Sequence, residues 1–469
     1  MSMKAQTLSQ AVALALFVSA CHLPGTCKVG NEVADCPSNA YCYTGKDPKV
    51  GDNGVCVYVA LPAIAGPVIS SFSPTEAALG ATLTILGENF SADPSENSVT
   101  LNGVPAAILF ASENELRIEV PKNMRCAGLV QVTVGNQIAT SSTDFTYMPT
   151  ATVSTFAGSG DRGIGNGGFA DGPGHLARFH SPIDIAIDVE GNLYVADVIN
   201  NRIRKVTMEK EVSTFASDFN TPWGLTIDAE NNLYVTDAHN HRIRRVAPDG
   251  RALTFAGEGT AGFRDAPAPG TDARFNEPDG ITRDAEGNLY VADTKNNRIR
   301  KVAPDGEVST LAGSGQACFA DAKGTAACFN SPNGIAIDNR TNTLYVADTE
   351  NNRIRKVTME GEVSTIAGNG VRGFLDGMSM DAQFNFPHGI AIDDRNGNLY
   401  VADAHNNRIR MVTPKGAVST LTGSGTAGHS EGAKSTARFD NPCGIAIDAE
   451  GNLYVADTYN HRIRKIMLE

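Results

Sequence analysis

The sequence predicts an all-β chain in which a six-bladed β-propeller, residues 150–469, follows an immunoglobulin-like β-sandwich and a small disulfide-rich segment. Three observations carry this expectation. A Leu-Tyr-Val-(Ala/Thr)-Asp word recurs six times, with its aspartates at 197, 237, 293, 348, 403 and 457, and copies spaced by 40 and then by 54–56 residues mean radial repetition of a small sheet unit. Each copy comes with three more β-type runs, so that the fourth unit reads 334–338, 344–348, 353–357 and 363–368, joined by turns such as Glu190-Gly191-Asn192 and Pro304-Asp305-Gly306 elsewhere in the array. Upstream of the repeats, residues 67–148 change texture to short alternating runs, the pattern of a small sandwich.

Taken in order, residues 1–20 hold one lysine and then an apolar run, 11–18, too short to span a bilayer as a mature helix, which is the pattern of a secretory signal. Val18-Ser19-Ala20-Cys21 resembles the bacterial lipobox; the resemblance implies lipidation of Cys21, and His22 in place of an aspartate implies an outer-membrane lipoprotein. An ordinary cleavage site with a bystander cysteine is the alternative. In residues 21–66, Cys27, Cys36, Cys42 and Cys56 sit among Gly, Pro, Asn and Asp with few large aliphatics, so this segment cannot bury a core. In an exported chain the four imply two disulfides in unknown order, whereas a zinc site lacks any Cys-x-x-Cys pair to support it.

The β-type runs of the sandwich are 68–70, 82–87, 98–101, 115–120 and 130–134. The words Ile69-Ser70-Ser71-Phe72-Ser73-Pro74, 80–90 (Gly-Ala-Thr-Leu-Thr-Ile-Leu-Gly-Glu-Asn-Phe) and Phe145-Thr146-Tyr147 resemble the IPT/TIG domain, which implies a spacer or protein-contact module. Met148-Pro149-Thr150 is a short linker to the propeller.

Closure of the ring follows by counting. The first fourth-strand word, 153–158, precedes any Leu-Tyr-Val-Ala-Asp, and the last copy of the latter has no fourth strand after it. The N-terminal strand therefore completes the last blade beside 462–466. The words Pro-x-Gly-Ile-Ala-Ile-Asp, Asn-Leu-Tyr-Val-Ala-Asp and Asn-Asn-Arg-Ile-Arg-Lys-Val, repeated over 150–469, resemble the NHL-repeat family. That resemblance implies the propeller and leaves function open, since NHL propellers include enzymes, RNA binders and sensors.

A residue present in every blade serves the blade, and a position that differs between blades is free to carry function. The aspartate ending the second strand is expected to accept backbone N–H groups of the following turn and to face the first Arg after it, as Asp348 with Arg353. The loops that cross between blades share Phe-x-Asp words at 169–171, 263–265, 319–321 and 374–376, and one Phe per loop is expected to plug the seam between blades. By connectivity these loops and the turns between second and third strands lie on one face, the top, where all the variable material is expected. Cys318 and Cys328 are an addition to one such loop and are expected to form a disulfide, with Cys126 and Cys443 unpaired.

The residue after the proline that opens each first strand is expected at the axial mouth of the top face. There the six blades present Ile183, Trp223, Asp279, Asn333, His388 and Cys443. An acid, an amide, an imidazole and a thiol from successive blades suit a small-molecule or divalent-metal site, and drifting side chains around a wet channel suit the same facts. Blade two has a short crossing loop, 217–221, so a gap in the rim is expected beside Trp223, the chain's one tryptophan, which either receives a partner or fills the vacated volume. His239, His241, His405 and His461 fall in turns and read as surface polar residues.

Phe386-Pro387-His388-Gly389-Ile390 resembles the Pro-His-Gly motif of the NHL-like lyase that cleaves peptidyl-hydroxyglycine, where three blades supply a zinc-binding histidine; here His388 alone occupies that position. The net charge of −13 and the acidic propeller argue against nucleic-acid partners. The sequence therefore reads as an exported, lipid-anchored, non-catalytic binding protein of the bacterial cell envelope. Its expected partner is a protein or a small-molecule or glycan ligand on the propeller top face, and a metal-dependent lyase or lactonase-like enzyme is the alternative.

Overall fold

The computed structural model describes residues 65–121, 128–160, 162–163 and 165–468, together with two short antiparallel strands, Cys27–Val29 and Glu32–Ala34. The signal segment, Cys21, Cys126 and the pairing of Cys27, Cys36, Cys42 and Cys56 lie outside the described residues.

Blade four shows how the repeat is built: Pro332–Asp338, Thr343–Asp348, Arg353–Thr358 and Val363–Ala367 pair antiparallel in that order outward from the axis. The Leu-Tyr-Val-Ala-Asp strand is apolar throughout because both of its faces meet a neighbouring blade. In blade one, Leu193 and Val195 join Phe156, Tyr454 and Ile463 of blade six, while Tyr194 and Ala196 join Leu225, Val235 and Val246 of blade two. Six such seams make the ring. Cys318 and Cys328 are bridged, with Cα atoms 5.2 Å apart.

The expected clasp is present. Ala151–Ala157 pairs antiparallel with Arg462–Leu468, running from Ala151 opposite Leu468 to Ala157 opposite Ile463, and supplies the fourth strand of blade six. A second latch at the same junction corrects the reading of His461 as a surface residue. It is fully buried: its Nδ1 accepts from the Ser181 N–H at 3.0 Å and its Nε2 lies 2.9 Å from the Gly163 carbonyl. His239 and His405 are exposed, as expected for turn residues.

The repeated aspartate has a structural role, with different partners from those expected. Asp348 Oδ1 accepts from the Asn330 N–H at 2.8 Å, which precedes the first strand, and Oδ2 accepts from Asn351 at 2.9 Å and from Arg355 Nη1 at 2.5 Å. The buried partner is thus the second arginine of Arg-Ile-Arg, and Arg353 lies outside it; in blade two the expected first arginine, Arg242, pairs with Asp237 at 3.1 Å as well. Arg355 Nη2 also donates to Asp321 Oδ1 of the crossing loop at 2.6 Å, so one guanidinium with no exposed side-chain surface ties two carboxylates together.

In the four crossing loops that carry a Phe-x-Asp word, two phenylalanines divide the work. Phe329, from the Ala-x-Phe word that ends the loop, is fully buried in the seam, whereas Phe319 of Phe-x-Asp stays 42% exposed and lies over Arg353 at 3.8 Å. Nor do these loops stay on top. They run down the outer edge of the blade and pair with its fourth strand, as Gly172 with Val212, Ala266 with Val308, Gly377 with Val418 and Gly432 with Val153.

The sandwich orders its strands Val68–Ser73, Thr82–Glu88, Glu115–Glu119, Val104–Ala111, Asn97–Leu101, Gly128–Val134, Gln137–Tyr147 and Glu76–Ala77. Its core comprises Leu83, Ile85, Val99, Leu101, Leu116, Ile118, Val130, Val132 and Phe145. The last long strand leads directly into the clasp. Met148 packs into the seam between blades five and six, and Asp144 forms an ion pair with Lys415 of blade five.

Candidate functional site

Each first strand begins opposite the end of the second, Pro332 against Asp348, which brings the residue after the proline to the axis. How far apart these residues stand is decided one position later, at Gly224, Gly280, Gly334, Gly389 and Gly444. A Cβ on Gly334 would lie 2.1 Å from the His388 carbonyl oxygen and one on Gly280 2.2 Å from that of Asn333, so the inner strands touch backbone to backbone. Only glycine permits that approach.

The ring is consequently tight, and the axial side chains fill it. Trp223 and His388 come from opposite blades and meet across the axis, with ring centroids 6.0 Å apart. The Asn333 amide donates to Asp279 Oδ2 at 2.8 Å. Cys443, on the first strand of blade six, is free and buried against the apolar cluster that contains Ile183 of blade one, its thiol 3.5 Å from the Asn441 carbonyl. The cavity left over is about 30 Å³, lined by Ile183, Asp184, Trp223, Asn333 and His388 among others. That is room for a water or two and no more.

One lining residue escapes a reading based on the variable position. Asp184 stands where the other five blades have glycine, and its Oδ2 accepts from the Leu225 N–H at 2.9 Å. The signal was available in the sequence as Pro-x-Asp instead of Pro-x-Gly.

Burial governs the electrostatics here. It raises Asp279 to about 8, with a hydrogen bond from Thr294 opposing, and raises Asp184 to about 7 against the Leu225 and Ile185 N–H groups. It lowers His388 to about 4, helped by the charge of His405, and pushes the Cys443 thiol up to about 12. Metal binding needs deprotonated donors in a common shell. Asp279 is held by Asn333, Cys443 is packed in an apolar cluster, and among the described residues no three His, Cys, Asp or Glu side chains come together to hold a metal. The donor set does not fit a divalent metal at the axis.

These shifts predict a pH dependence. Asp279 and Asp184 keep their protons in the folded state to about 8 and 7, whereas unfolded aspartates lose theirs near 4, so their contribution is complete at low pH and is lost as pH rises through the folded values. His388 acts in the opposite sense, but only below about 6.5, where the unfolded imidazole takes up a proton. Between pH 6.5 and 8 His388 no longer opposes the aspartates, and stability falls by up to about 1.4 kcal/mol per pH unit for each retained proton. Denaturant melts at those two pH values should show the loss, and Asp279→Asn should shrink it.

A second cavity, far larger, lies between the sandwich and the underside of blade five. It measures about 830 Å³ and is lined by Asn102, Gln131, Thr143, Asn396, Asn398 and Thr413, with Leu129, Met378 and Pro414 and the Asp144–Lys415 pair. It opens on the face opposite the axial residues, where the hairpins between first and second and between third and fourth strands project.

Comparison with known proteins agrees with this architecture. The IPT/TIG domain model matches residues 67–147 and the NHL repeat model residues 439–466. The chain is an IPT/TIG domain followed by an NHL-repeat propeller. Between those matches, the Teneurin NHL domain model covers 150–320 and 268–357 of the NHL propeller, and the SMP-30/gluconolactonase/LRE-like region covers 320–423. Over 224 residues the NHL propeller is 30% identical to Protein SUPPRESSOR OF QUENCHING 1, chloroplastic, of Arabidopsis thaliana, which spans 44% of this chain and 21% of that protein. The chain thus spans about a fifth of that relative's length. A protein of unknown function from Bacteroides thetaiotaomicron superposes with a TM-score of 0.57 at 21% identity, covering 86% of this chain and 98% of its own. An auxiliary nutrient binding protein from the same organism gives 0.56 at 22%, with the same coverage. Both share the fold of the IPT/TIG and NHL pair.

Proposed function

We propose that the chain is an exported, lipid-anchored binding protein of the cell envelope that takes a neutral, hydroxyl-rich small molecule or glycan in the cleft between the IPT/TIG domain and blade five. The observation that carries this reading is the contrast of volumes: about 830 Å³ in the cleft against about 30 Å³ at the axis. Ligand pockets fall in the range of roughly 300–1,000 Å³ and occur preferentially at domain interfaces. Amide and hydroxyl side chains dominate the polar lining, and the one charged pair is self-neutralised, which suits a ligand without net charge. Binding is also what the name of the Bacteroides thetaiotaomicron nutrient binding protein describes for that protein. The axial set of Trp223, Asp279, Asn333, His388 and Cys443 is then a packed plug, with Trp223, Asn333 and His388 the side chains a second ligand would meet on the top face.

Export and anchoring rest on the apolar run 11–18 and on Cys21 after Val18-Ser19-Ala20. Among the described residues no helix is long and apolar enough to cross a membrane. A labelled fatty acid fed to bacteria producing the full chain should be incorporated and should be lost in Cys21→Ala. Incorporation that survives this substitution, or label-free protein in the cytosolic fraction, would end the anchored reading.

A further inference from the structure

The outer rim of blade two presents a receptor whose occupant is not supplied among the described residues. Four blades show what belongs there. In blades one, three, four and five the crossing loop lays a Phe-x-Asp word on the outer strand. The Phe ring stacks beneath the first arginine, as Arg298 over Phe263 and Arg408 over Phe374, each at 3.8 Å. The carboxylate binds the second arginine and the outer-strand threonine, as Asp265 with Arg300 at 2.6 Å and with Thr310 at 3.1 Å. In blade six the corresponding loop places His429 and Glu431 on the outer strand, where they bind Thr155.

Blade two has the receiving half alone. Arg242, Arg244 and Thr254 occupy the corresponding register, and Phe219 keeps the buried place beneath Arg244. Its crossing loop, 217–221, is too short to carry a Phe-x-Asp word. The vacancy has local consequences. Arg244 Nη2 turns to the Ala252 carbonyl at 2.8 Å, the atom whose counterpart in Val308 pairs with the loop backbone in blade three. Arg242 Nε pairs with Asp237 Oδ2 at 3.1 Å and its Nη1 reaches toward Thr254 Oγ1 at 3.5 Å, Leu253 is 72% exposed, and among the described residues no strand or bridge pairs with the outer edge of Ala252–Ala256. This also relocates the gap expected beside Trp223: it lies on the outer edge of the blade, away from the axis.

We infer that blade two is a docking site for an extended segment of another protein that carries an aromatic residue two positions before a carboxylate. The segment adds its backbone to the Ala252–Ala256 edge and places its carboxylate between Arg244 and Thr254, as the chain's own loops do elsewhere. A second copy of this chain is not the source, because its four Phe-x-Asp words, at 169–171, 263–265, 319–321 and 374–376, are already engaged in their own blades.

The test is a dye-labelled peptide copying residues 168–173, Gly-Phe-Ala-Asp-Gly-Pro, titrated with the full chain and followed by fluorescence anisotropy. Saturable binding is expected, at least about tenfold weaker when the peptide's Asp is changed to Asn or its Phe to Ala. Thr254→Val should weaken it, and replacing 217–221 with the blade-five loop 369–386 should abolish it. Equal binding of the Asn peptide, no binding of the parent peptide, or binding unchanged in both Thr254→Val and the loop graft would overturn the inference. Self-association of the chain that the peptide competes away would also contradict it, by making a second copy the partner.

Discussion

Replacing Arg355 by alanine should lower the unfolding free energy by about 3–5 kcal/mol, the range for removing one partner of a buried ion pair. Its guanidinium neutralises Asp348 and Asp321 and satisfies the carbonyls of Cys328 and Ala320 at 3.0 and 2.9 Å. Without it Asp348, itself fully buried, is left as an unpaired carboxylate in a seam. Protonation then becomes its escape, so the variant should recover part of the loss at acidic pH. Arg353→Ala, half-buried on the same face of the strand but nearer its rim and without a carboxylate partner among the described residues, should cost less than half as much, and equivalent losses in urea melts of the two variants would show that the pairing is misassigned.

Deleting Ala151–Ala157 should be more damaging still. The strand buries Val153, Phe156 and Ala157, with roughly 1.5–3 kcal/mol for each large apolar side chain, and supplies a ladder of backbone hydrogen bonds at about 0.5–1.5 kcal/mol apiece. The total, on the order of 5–10 kcal/mol, matches the whole stability of an ordinary domain. It also exposes the edge of Arg462–Leu468 and opens the ring where its ends meet. Shortening the blade-five crossing loop removes less, so a melting temperature reduced as far by that change as by the clasp deletion would contradict this view of closure.

The ring, its blade count and its closure were legible because repetition writes them six times over: each Leu-Tyr-Val-Ala-Asp strand alternates its side chains between two neighbours, and the stray word at 153–158 had one blade to complete. Side-chain reach was less legible. Asp348 stands directly opposite Arg353 in register, yet the longer diagonal to Arg355 wins: both arginines share a strand face, but Arg355 is fully buried beside the carboxylate whereas Arg353 turns outward to the Asn351 and Asn369 carbonyls. The sequence also placed Trp223, Asn333 and His388 at the axis but not the width of the opening there. That width is fixed by glycines whose neighbours approach to 2.1–2.4 Å of an added Cβ, a contact between blades that no local pattern records. The cleft under blade five had no sequence signal, because it arises from how the IPT/TIG domain docks through Met148 and Asp144, outside any repeat.

A ligand held in that cleft stabilises the folded chain by mass action, by about 2.7 kcal/mol at one hundred times its dissociation constant. The most direct measurement is therefore the melting temperature of the full chain against a panel of neutral mono- and oligosaccharides, in the wild type, in Ser142→Trp and Pro414→Trp, which fill the cleft from its exposed rim, and in His388→Ala. A rise in the wild type and in His388→Ala that disappears in the two tryptophan variants is the result predicted. No rise with any sugar, or a rise that survives in a filled cleft and vanishes in His388→Ala, would contradict it.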